Sequence, residues 1–266
     1  MSDPDPLVDI HCHLLPGLDD GPESDDEALA MAQMATADGI ARIVATPHQL
    51  GSHPENSPQR IRAATARLQA LLDKRGIPLR VLPGADVRVE PDLPGKVRRG
   101  EVLTLADRGR HVLLELPHEV YLPLDRLILD LRDAGLVGVL SHPERNWGIL
   151  RQPQVLRPLV AAGCLVQVTA GSLTGFFGFR VQRLAESIIV EGLAHCVSTD
   201  AHGVRTRPPV LRPALDRVAL LAGRSTAVEL FSRNPARIAS GRNVTACPRP
   251  AKRIAWRGWL LWKKAG

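Results

Sequence analysis

The chain has 266 residues, of which 44% are hydrophobic and 23% charged, the composition of a soluble globular protein that can bury a full core. No apolar run reaches the ~18 residues that a membrane-spanning helix needs, which argues against an integral membrane protein. The first residues contain neither a basic nor an apolar stretch, so no secretory signal is expected. The four cysteines lack CxxC or zinc-knuckle spacing, and we therefore expect reduced thiols and a cytoplasmic location.

The formal net charge of +6 is concentrated at the C-terminal end. Residues 247–266 contain no acidic residue but six basic ones, namely Arg249, Lys252, Arg253, Arg257, Lys263 and Lys264. Taking these six from the 34 basic residues leaves 28, which balance the 28 acidic residues. A neutral body does not suggest a nucleic-acid-binding surface, so no nucleic-acid partner is predicted.

Seven short apolar or β-branched segments predict strands that are buried on both faces, as in a parallel sheet. In chain order they are Leu7–Ile10, Arg42–Thr46, Leu79–Pro83, His111–Leu116, Leu136–Leu140, Cys164–Thr169 and His195–Ser198. The helix-like segments between them are Ser24–Asp38, Pro58–Arg75, Leu124–Ala134 and Val181–Glu191. Acidic residues open the first helix and a glycine follows each of the other three. This alternation predicts right-handed βαβ units.

About seven such units without a dinucleotide-binding fingerprint favour a (β/α) barrel over an open sheet. In barrels the catalytic side chains lie at the C-terminal ends of the strands. Six of the seven predicted strands end at a candidate metal ligand. The sixth strand is the exception, because it leads into Thr169-Ala170-Gly171-Ser172, small residues that could let a substrate approach closely.

Two pairs of candidate ligands have i, i+2 spacing beside a predicted strand. The pairs are His11 with His13 and Asp200 with His202. Residues two apart point to the same side of a strand, so each pair can chelate one ion. His48 and His142 each adjoin a proline at a strand end. Imidazoles and carboxylates are costly to gather unless they are ligated, so the set predicts a cluster of divalent cations and a metallohydrolase.

Asp86 and Glu115 are the candidate carboxylates that would bridge two ions, or bind one ion, of a multinuclear site. Asp20, which follows the first histidine pair, is a further candidate ligand. Their alternative roles are helix caps or surface ion pairs, which suits Glu115 poorly because its segment is apolar. Asp9 is either a ligand or a group that orients one. The remaining acids near the first helix are interpreted as solvated residues at its start: Asp19, Glu23, Asp25, Asp26 and Glu27.

Arg145 and Arg207 are candidates for binding a phosphate, because the planar guanidinium matches phosphate oxygens; surface salt bridges are the alternative. Four other histidines are interpreted as structural or exposed: His53, His111, His118 and His195. Cys247 and Arg253 have the C-x5-R spacing of cysteine-dependent phosphatases. The residues between them lack the glycines of a phosphate-binding loop, so this spacing is interpreted as chance.

These segments resemble the PHP (polymerase and histidinol phosphatase) superfamily, and within it the manganese-dependent protein tyrosine phosphatases of bacterial capsule and exopolysaccharide loci. The resemblance spans roughly residues 7–241 and rests on Asp9–His13, Leu18–Pro22, Ala45–His48, Gly84–Asp86, Leu114–Leu116, Ser141–Arg145, Gly171–Gly175, Thr199–His202 with Arg207, and Asn234–Arg237. It implies a distorted seven-stranded (β/α) barrel of PHP type with its metal site at the C-terminal rim of the strands. It implies a barrel domain over residues 1–245 and a basic, Trp-rich tail over residues 246–266.

The resemblance also implies a site for up to three divalent ions, Mn²⁺ first, with Mg, Fe, Co or Zn as other candidates. The implied ligand sets are His11, His13, Asp86 and Asp200 for one ion, Asp86, Glu115 and His142 for a second, and Asp20, His48 and His202 for a third. Arg145 and Arg207 match the phosphate-contacting arginines of that family. The chain departs from the family pattern at the bridging position, where Asp86 replaces a glutamate.

By the same resemblance, the expected activity is hydrolysis of phosphotyrosine on a membrane-bound exopolysaccharide tyrosine kinase. The alternatives are a small-molecule phosphatase of histidinol-phosphatase type and a catalytically inactive regulatory module. The tail places Trp256, Trp259 and Trp262 among basic residues, which suits weak peripheral contact with the inner membrane. Packing on the barrel or self-association is the alternative for these tryptophans.

Overall fold

The computed structural model describes residues 5–244, which contain nine β-strands. The strands are β1 Leu7–Cys12, β2 Ile40–Ala45, β3 His48–Gln49, β4 Arg80–Pro83, β5 Asp86–Arg88, β6 His111–Glu115, β7 Val137–Ser141, β8 Leu165–Thr169 and β9 Cys196–Ser198. All seven predicted strands are confirmed with small differences at their ends. The two short strands β3 and β5 were not predicted, because two or three residues are too few for a periodic pattern.

The helices of the described residues mostly follow the strands. They are α1 Asp25–Ala37, α2 Pro58–Lys74, α3 Leu93–Arg98, α4 Asp125–Asp133, α5 Trp147–Arg151, α6 Leu156–Ala161, α7 Ala170–Leu173, α8 Phe179–Val190, α9 Arg212–Ala222, α10 Arg224–Val228 and α11 Asn234–Ala239. Single helical turns occur at Leu105–Asp107, Pro143–Arg145, Pro153–Val155 and Glu229–Arg233. The four predicted helices are therefore confirmed as α1, α2, α4 and α8.

Local sequence explains where these helices begin and end. The Ser24 side chain accepts a hydrogen bond from the backbone N–H of Glu27 at 3.3 Å, which caps α1. Ser57 caps α2 in the same way, and Pro58 occupies its first turn, where no N–H is needed. Gly76 after α2 and Gly135 after α4 have φ angles of 65° and 77°, a conformation that glycine adopts at little cost.

Every pairing between these strands is parallel, and the ladders form two sheets. The smaller sheet has the order β1-β2-β4 and the larger has the order β3-β5-β6-β7-β8-β9. A parallel bridge from Cys12 to Ala201 connects the end of β1 with the segment after β9. The predicted count of seven strands is therefore corrected to nine strands in two sheets over residues 5–244. The reason is that both the β2–β3 and β4–β5 connections interrupt the ladder for only two residues.

The strands separate two apolar clusters. Along β6, Val112 and Leu114 pack in the larger cluster, between the strands and the surrounding helices, whereas Leu113 packs in the smaller cluster. The smaller cluster also contains Ile10 and, from α11, Ile238. Because neighbouring side chains of a strand point to opposite faces, the strands are buried on both sides. This burial makes the strands a rigid support for the side chains at their ends.

Within residues 5–244, no helix is both long and apolar enough to cross a lipid bilayer. The expectations about the Trp-rich tail fall on residues 246–266, outside the described part of the chain. The same holds for Cys247 and Arg253, so the interpretation of their spacing stays a prediction.

Candidate metal centre

The nine predicted metal ligands converge at the C-terminal ends of the strands. Within residues 5–244 they form four groups whose ligand atoms lie within 4.8 Å of one another. The groups are His11, His13 and Asp86; His11, His142 and Asp200; His48, Asp86 and Glu115; and His13, Asp20, His48 and His202. Imidazole nitrogens and carboxylate oxygens are the donors that divalent transition metals prefer. Each group supplies three or four such donors, which is enough to hold one ion.

The groups agree in part with the implied ligand sets for two ions and differ for the third. His11 and His13 share a group with Asp86, and Asp20 shares one with His48 and His202, as the resemblance implies. His142, however, lies with His11 and Asp200, while His48 takes its place beside Asp86 and Glu115. Which ligands share which ion therefore stays a prediction, whereas the convergence of all nine is a property of the structure.

Asp86 is fully buried in this cluster, as are His11 and His13. Within the described residues, neither of its carboxylate oxygens accepts a hydrogen bond. Its Oδ2 atom lies 3.5 Å from His11 Nε2 and 3.6 Å from His48 Nδ1. Burial would raise the pKa of Asp86, but the nearby histidines hold it well below its usual range. A buried carboxylate that accepts no hydrogen bond is suited to binding a cation. Asp86 and the two histidines beside it therefore fit a bound metal ion.

The two histidines of the first pair are oriented by partners on the other side of each ring. His11 Nδ1 lies 2.9 Å from Gln167 Oε1 and His13 Nδ1 lies 2.6 Å from Asp19 Oδ2. When a cation displaces the other protons, a proton on each Nδ1 would leave both Nε2 atoms, 3.3 Å apart, as ligands that face the same point. The i, i+2 spacing therefore brings both lone pairs to one place, as predicted.

Asp19 was interpreted as a solvated residue at a helix start, and this was wrong. Its side chain is 1% exposed and accepts hydrogen bonds from the backbone N–H groups of Gly21 and His48, both at 3.0 Å. Burial would raise the pKa of Asp19, but His13 and these donors lower it to about 2. The sequence contains two adjacent aspartates, of which Asp19 points inward to these partners while Asp20 faces solvent.

Carboxylates and histidines perturb each other strongly across the cluster. Burial alone would lower the pKa of His13, but Asp19 and Asp200 raise it to about 10. Burial and the charge of Asp86 raise the pKa of Glu115 to about 8. Bound protons therefore balance the negative charge of the buried carboxylates, and binding of a cation would release these protons.

The group around Asp20 lies on the solvent side of the cluster. The Asp20 side chain is 62% exposed, and its Oδ1 lies 3.2 Å from His202 Nε2 and 3.5 Å from His48 Nε2. The His48 side chain is 20% exposed, whereas those of His11 and Asp86 are fully buried. Of the four groups formed by residues 5–244, this one is therefore the most exposed to solvent.

Asp9 belongs to none of the groups formed by residues 5–244. Its carboxylate accepts hydrogen bonds from the backbone N–H groups of Thr199 and His11, at 3.1 and 3.2 Å. Burial raises its pKa to about 6. Of its two predicted roles, the contacts fit the orienting one, because Asp9 ties the segments that carry His11 and Asp200 to each other.

Arg145 and Arg207 meet at one carboxylate of the cluster. Both guanidinium groups form ion pairs with Oδ2 of Asp200, whose pKa stays well below its usual range despite burial because of His11, His13 and Arg207. Arginine carries five N–H donors, so this contact leaves most donors of both residues available to another anion. The two arginines therefore lie beside the cluster with donors left to bind an anion, and their role in phosphate binding stays a prediction.

Three residues of the site have a left-handed backbone conformation. The φ angles of His142, Asp200 and Arg207 are 32°, 53° and 55°. Non-glycine residues adopt such angles at a cost of about 1 kcal/mol or more, and they concentrate at functional sites. The strain here turns the chain sharply after β7 and β9 and directs these side chains toward the cluster.

Three further residues beside the site were not predicted as part of it. Glu144 is fully buried, where its Oε1 accepts hydrogen bonds from the Thr169 N–H at 2.9 Å and the Ser172 hydroxyl at 2.7 Å. Gln167 lies between the apolar residues Val166 and Val168 of β8, which is a signal that could have identified it. The His118 ring stacks on the ring of His142 at 5.5 Å between centroids.

Comparison with known proteins places residues 7–240 in one family. The family model CpsB/CapC, described as capsular polysaccharide synthesis, matches residues 7–240. The tyrosine-protein phosphatase YwqE of Bacillus subtilis (strain 168) is 37% identical over 203 residues, which are 76% of this chain and 79% of that protein. The tyrosine-protein phosphatase CpsB of Streptococcus pneumoniae is 27% identical over 238 residues, 87% of this chain and 98% of that protein.

A solved structure supports the same relationship. It comes from work on YwqE of Bacillus subtilis and CpsB of Streptococcus pneumoniae, described there as unique metal-dependent tyrosine phosphatases. It matches this chain with a TM-score of 0.87 at 33% identity, over 93% of this chain and 100% of the solved chain. The chain belongs to the CpsB/CapC family of capsular polysaccharide synthesis.

Proposed function

We propose that this protein is a metal-dependent protein tyrosine phosphatase. The observation that supports this most is the convergence of nine metal-ligand side chains with two arginines on Asp200. The relatives named tyrosine-protein phosphatase support the same reaction. Hydrolysis of a phosphomonoester requires metal ligands and hydrogen-bond donors to the phosphate dianion at one place.

We propose Mn²⁺ as the native metal, with up to three ions held by the nine ligands. His11, His13 and Asp86 would hold the innermost ion, and Asp20, His48 and His202 the ion nearest solvent. Bound divalent ions supply a nucleophile at neutral pH, by lowering the pKa of water, and positive charge beside the phosphoryl oxygens. Cysteine nucleophilic chemistry is then not required.

The side chains of this chain would bind and orient the phosphate. Arg145 and Arg207 donate hydrogen bonds to the phosphoryl oxygens and oppose the charge that grows on them in the transition state. Asp200 holds both guanidinium groups in place, and Glu144 holds the segment after β8 against the Arg145 turn. A tyrosine oxygen is a good leaving group, because its pKa is ~10, so a strong general acid is not needed.

The finer parts of the proposal concern fold, substrate and location. We propose that the two sheets close into a barrel of PHP type, with the Cys12–Ala201 bridge as its supporting contact. The proposed substrate is the phosphotyrosine tail of a membrane-bound exopolysaccharide tyrosine kinase, which would place the enzyme in the cytoplasm near the inner membrane. The proposed additional contact with that membrane through the tail concerns residues outside the described range.

The test is hydrolysis of p-nitrophenyl phosphate by chelator-treated protein, with and without added Mn²⁺. We expect turnover to depend on the metal and to survive replacement of Cys247 by serine, and an aryl phosphate to be preferred to an alkyl phosphate. Preference for the alkyl phosphate would favour a small-molecule phosphatase. Full activity after chelation, or loss of activity in Cys247→Ser, would contradict the proposal, and metal binding without turnover would indicate an inactive module.

A further inference from the structure

An apolar cavity lies beside the two arginines, outside the metal-ligand cluster. Its volume is about 300 Å³, and its walls come from the segment after β8 and the segment after β9. Its lining residues include Gly171, Phe176, Phe177, Arg207, Pro208 and Val210. Ligand sites of proteins are mostly apolar with a few polar groups, and this cavity matches the small end of their size range.

The cavity and the metal-ligand cluster share the same two guanidinium groups. Arg207 lines the cavity and also forms an ion pair with Asp200. The guanidinium carbon of Arg145 lies 4.3 Å from the centre of the Phe177 ring, and Arg145 also contacts Asp200. A molecule that places its phosphate on these arginines therefore brings the group next to that phosphate into the cavity.

The aromatic wall is held in place by close packing. A Cβ atom on Gly171 would lie 3.2 Å from the Phe177 ring, so a glycine lets this ring approach the backbone. Phe176 packs against Phe177 edge to face, with 5.0 Å between the ring centres. Phe177 thus offers an oriented aromatic surface with a cation on one side, whereas Phe179 further along is 69% exposed and lies outside the cavity.

We propose that this cavity binds the phenyl ring of phosphotyrosine, with Phe177 as the residue that determines aryl specificity. The inference rests on the proposed function, because the phosphate must sit at Arg145 and Arg207. One oxygen atom joins the ring of phosphotyrosine to its phosphorus, so the ring falls directly beside the arginines. The short alkyl chains of phosphoserine and phosphothreonine would not reach the aromatic wall, so contact with Phe177 would add nothing to their binding affinity.

The experiment compares binding of phenylphosphonate and methylphosphonate to the full-length, Mn²⁺-loaded protein by calorimetry. Neither compound can be hydrolysed, and they differ only in the ring. We expect the wild-type protein to prefer phenylphosphonate by about tenfold or more, the usual effect of burying an aromatic ring. Phe177→Ala should abolish most of this preference while methylphosphonate binds as before, Phe177→Leu should retain part of it, and the exposed control Phe179→Ala should change nothing.

Three results would overturn the inference. They are equal affinity of the wild-type protein for the two phosphonates, a preference that persists in Phe177→Ala, and an equal loss of affinity for both compounds in that variant. The last result would mean that Phe177 acts only by supporting Arg145. These results are independent of turnover: a wild-type protein that binds phenylphosphonate but never hydrolyses p-nitrophenyl phosphate contradicts the proposed function and not the ring site.

Discussion

The two ends of the strands both contain buried histidines, but in opposite electrostatic settings. At the C-terminal end, Asp19 and Asp200 raise the pKa of His13 to about 10 against the effect of burial. At the N-terminal end, His111 begins β6 and His195 precedes β9. Burial lowers the pKa of each to about 4, and the described residues place no carboxylate against them.

The difference shows that burial alone does not make a histidine a functional ligand. At the N-terminal end, the backbone N–H of Val166 donates to His195 Nδ1 at 3.1 Å, and α11 covers this end through Ile238. These histidines are neutral core residues, in agreement with their structural interpretation. At the C-terminal end, rings and carboxylates converge from strands far apart in the chain, and only this convergence creates a site for cations.

The largest expected effect comes from Asp86→Asn, since Asp86 belongs to two of the four ligand groups. Loss of its charge should remove at least one ion per chain and lower turnover of p-nitrophenyl phosphate by more than about 100-fold. Elemental analysis and steady-state kinetics measure both effects. Asp107→Asn, at an aspartate in the turn before β6, is the matched control and should retain metal and activity. Equal metal content in the two variants would contradict the central position of Asp86.

Asp19→Asn tests the orientation of His13. Without the charged partner at 2.6 Å, the ring should lose its fixed tautomer, and metal affinity should fall by about 10- to 100-fold. Calorimetric titration of the chelator-treated, metal-free protein with Mn²⁺ measures this affinity. Asp25→Asn, at an exposed acid of the same region, is the control. If both variants bind Mn²⁺ as the wild type does, Asp19 has no role in the metal site.

Arg145→Ala and Arg207→Ala separate phosphate binding from metal binding. Each variant loses charge-assisted hydrogen bonds worth about 1.5–3 kcal/mol, so kcat/KM should fall roughly tenfold or more. The metal content should stay unchanged, because neither arginine is a ligand. Kinetics with p-nitrophenyl phosphate and elemental analysis provide the two measurements. Wild-type rates in both variants would mean that the phosphate binds elsewhere.

A pH experiment addresses the opposite end of the strands. The folded protein holds His111 neutral down to about pH 4, whereas an unfolded histidine binds a proton near pH 6.5. The unfolded state therefore binds more protons between these values, and stability is lost as pH falls through this window. The free energy of unfolding can be measured with urea in the presence of chelator. His111 should lower it by about 2 kcal/mol between pH 7.5 and pH 5. His111→Phe should show a smaller loss with unchanged metal binding; an identical pH dependence would refute this.

Asp86→Glu should have the smallest effect. It restores the longer carboxylate implied by the family resemblance and keeps both charge and denticity. The distances of 3.5 and 3.6 Å from Asp86 to His11 and His48 leave separations that a metal can bridge. We expect metal content at least equal to that of the wild type, measured by elemental analysis. A lower content would show that the site has adapted to the shorter side chain.

Local features of the sequence were enough to predict most of the architecture. Runs such as Leu136–Leu140 are apolar throughout, and a glycine follows three of the four predicted helices, so these strands and helices could be predicted from neighbouring residues. The candidate ligands could be predicted because parallel strands place their C-terminal ends at one edge of a sheet. Short β3 and β5 were missed, since their pairing depends on the strands beside them and not on their own residues.

The roles within the site were decided only by the tertiary structure. Asp19 and Asp20 are chemically identical neighbours, yet one is buried against His13 and the other faces solvent. Gln167 contacts His11 across 156 positions of sequence, and His142 joins His11 and Asp200. Sequence patterns determine which face of a strand a side chain occupies. The distance between two such side chains depends on strand register and loop conformation, which arise only when the whole sheet is packed.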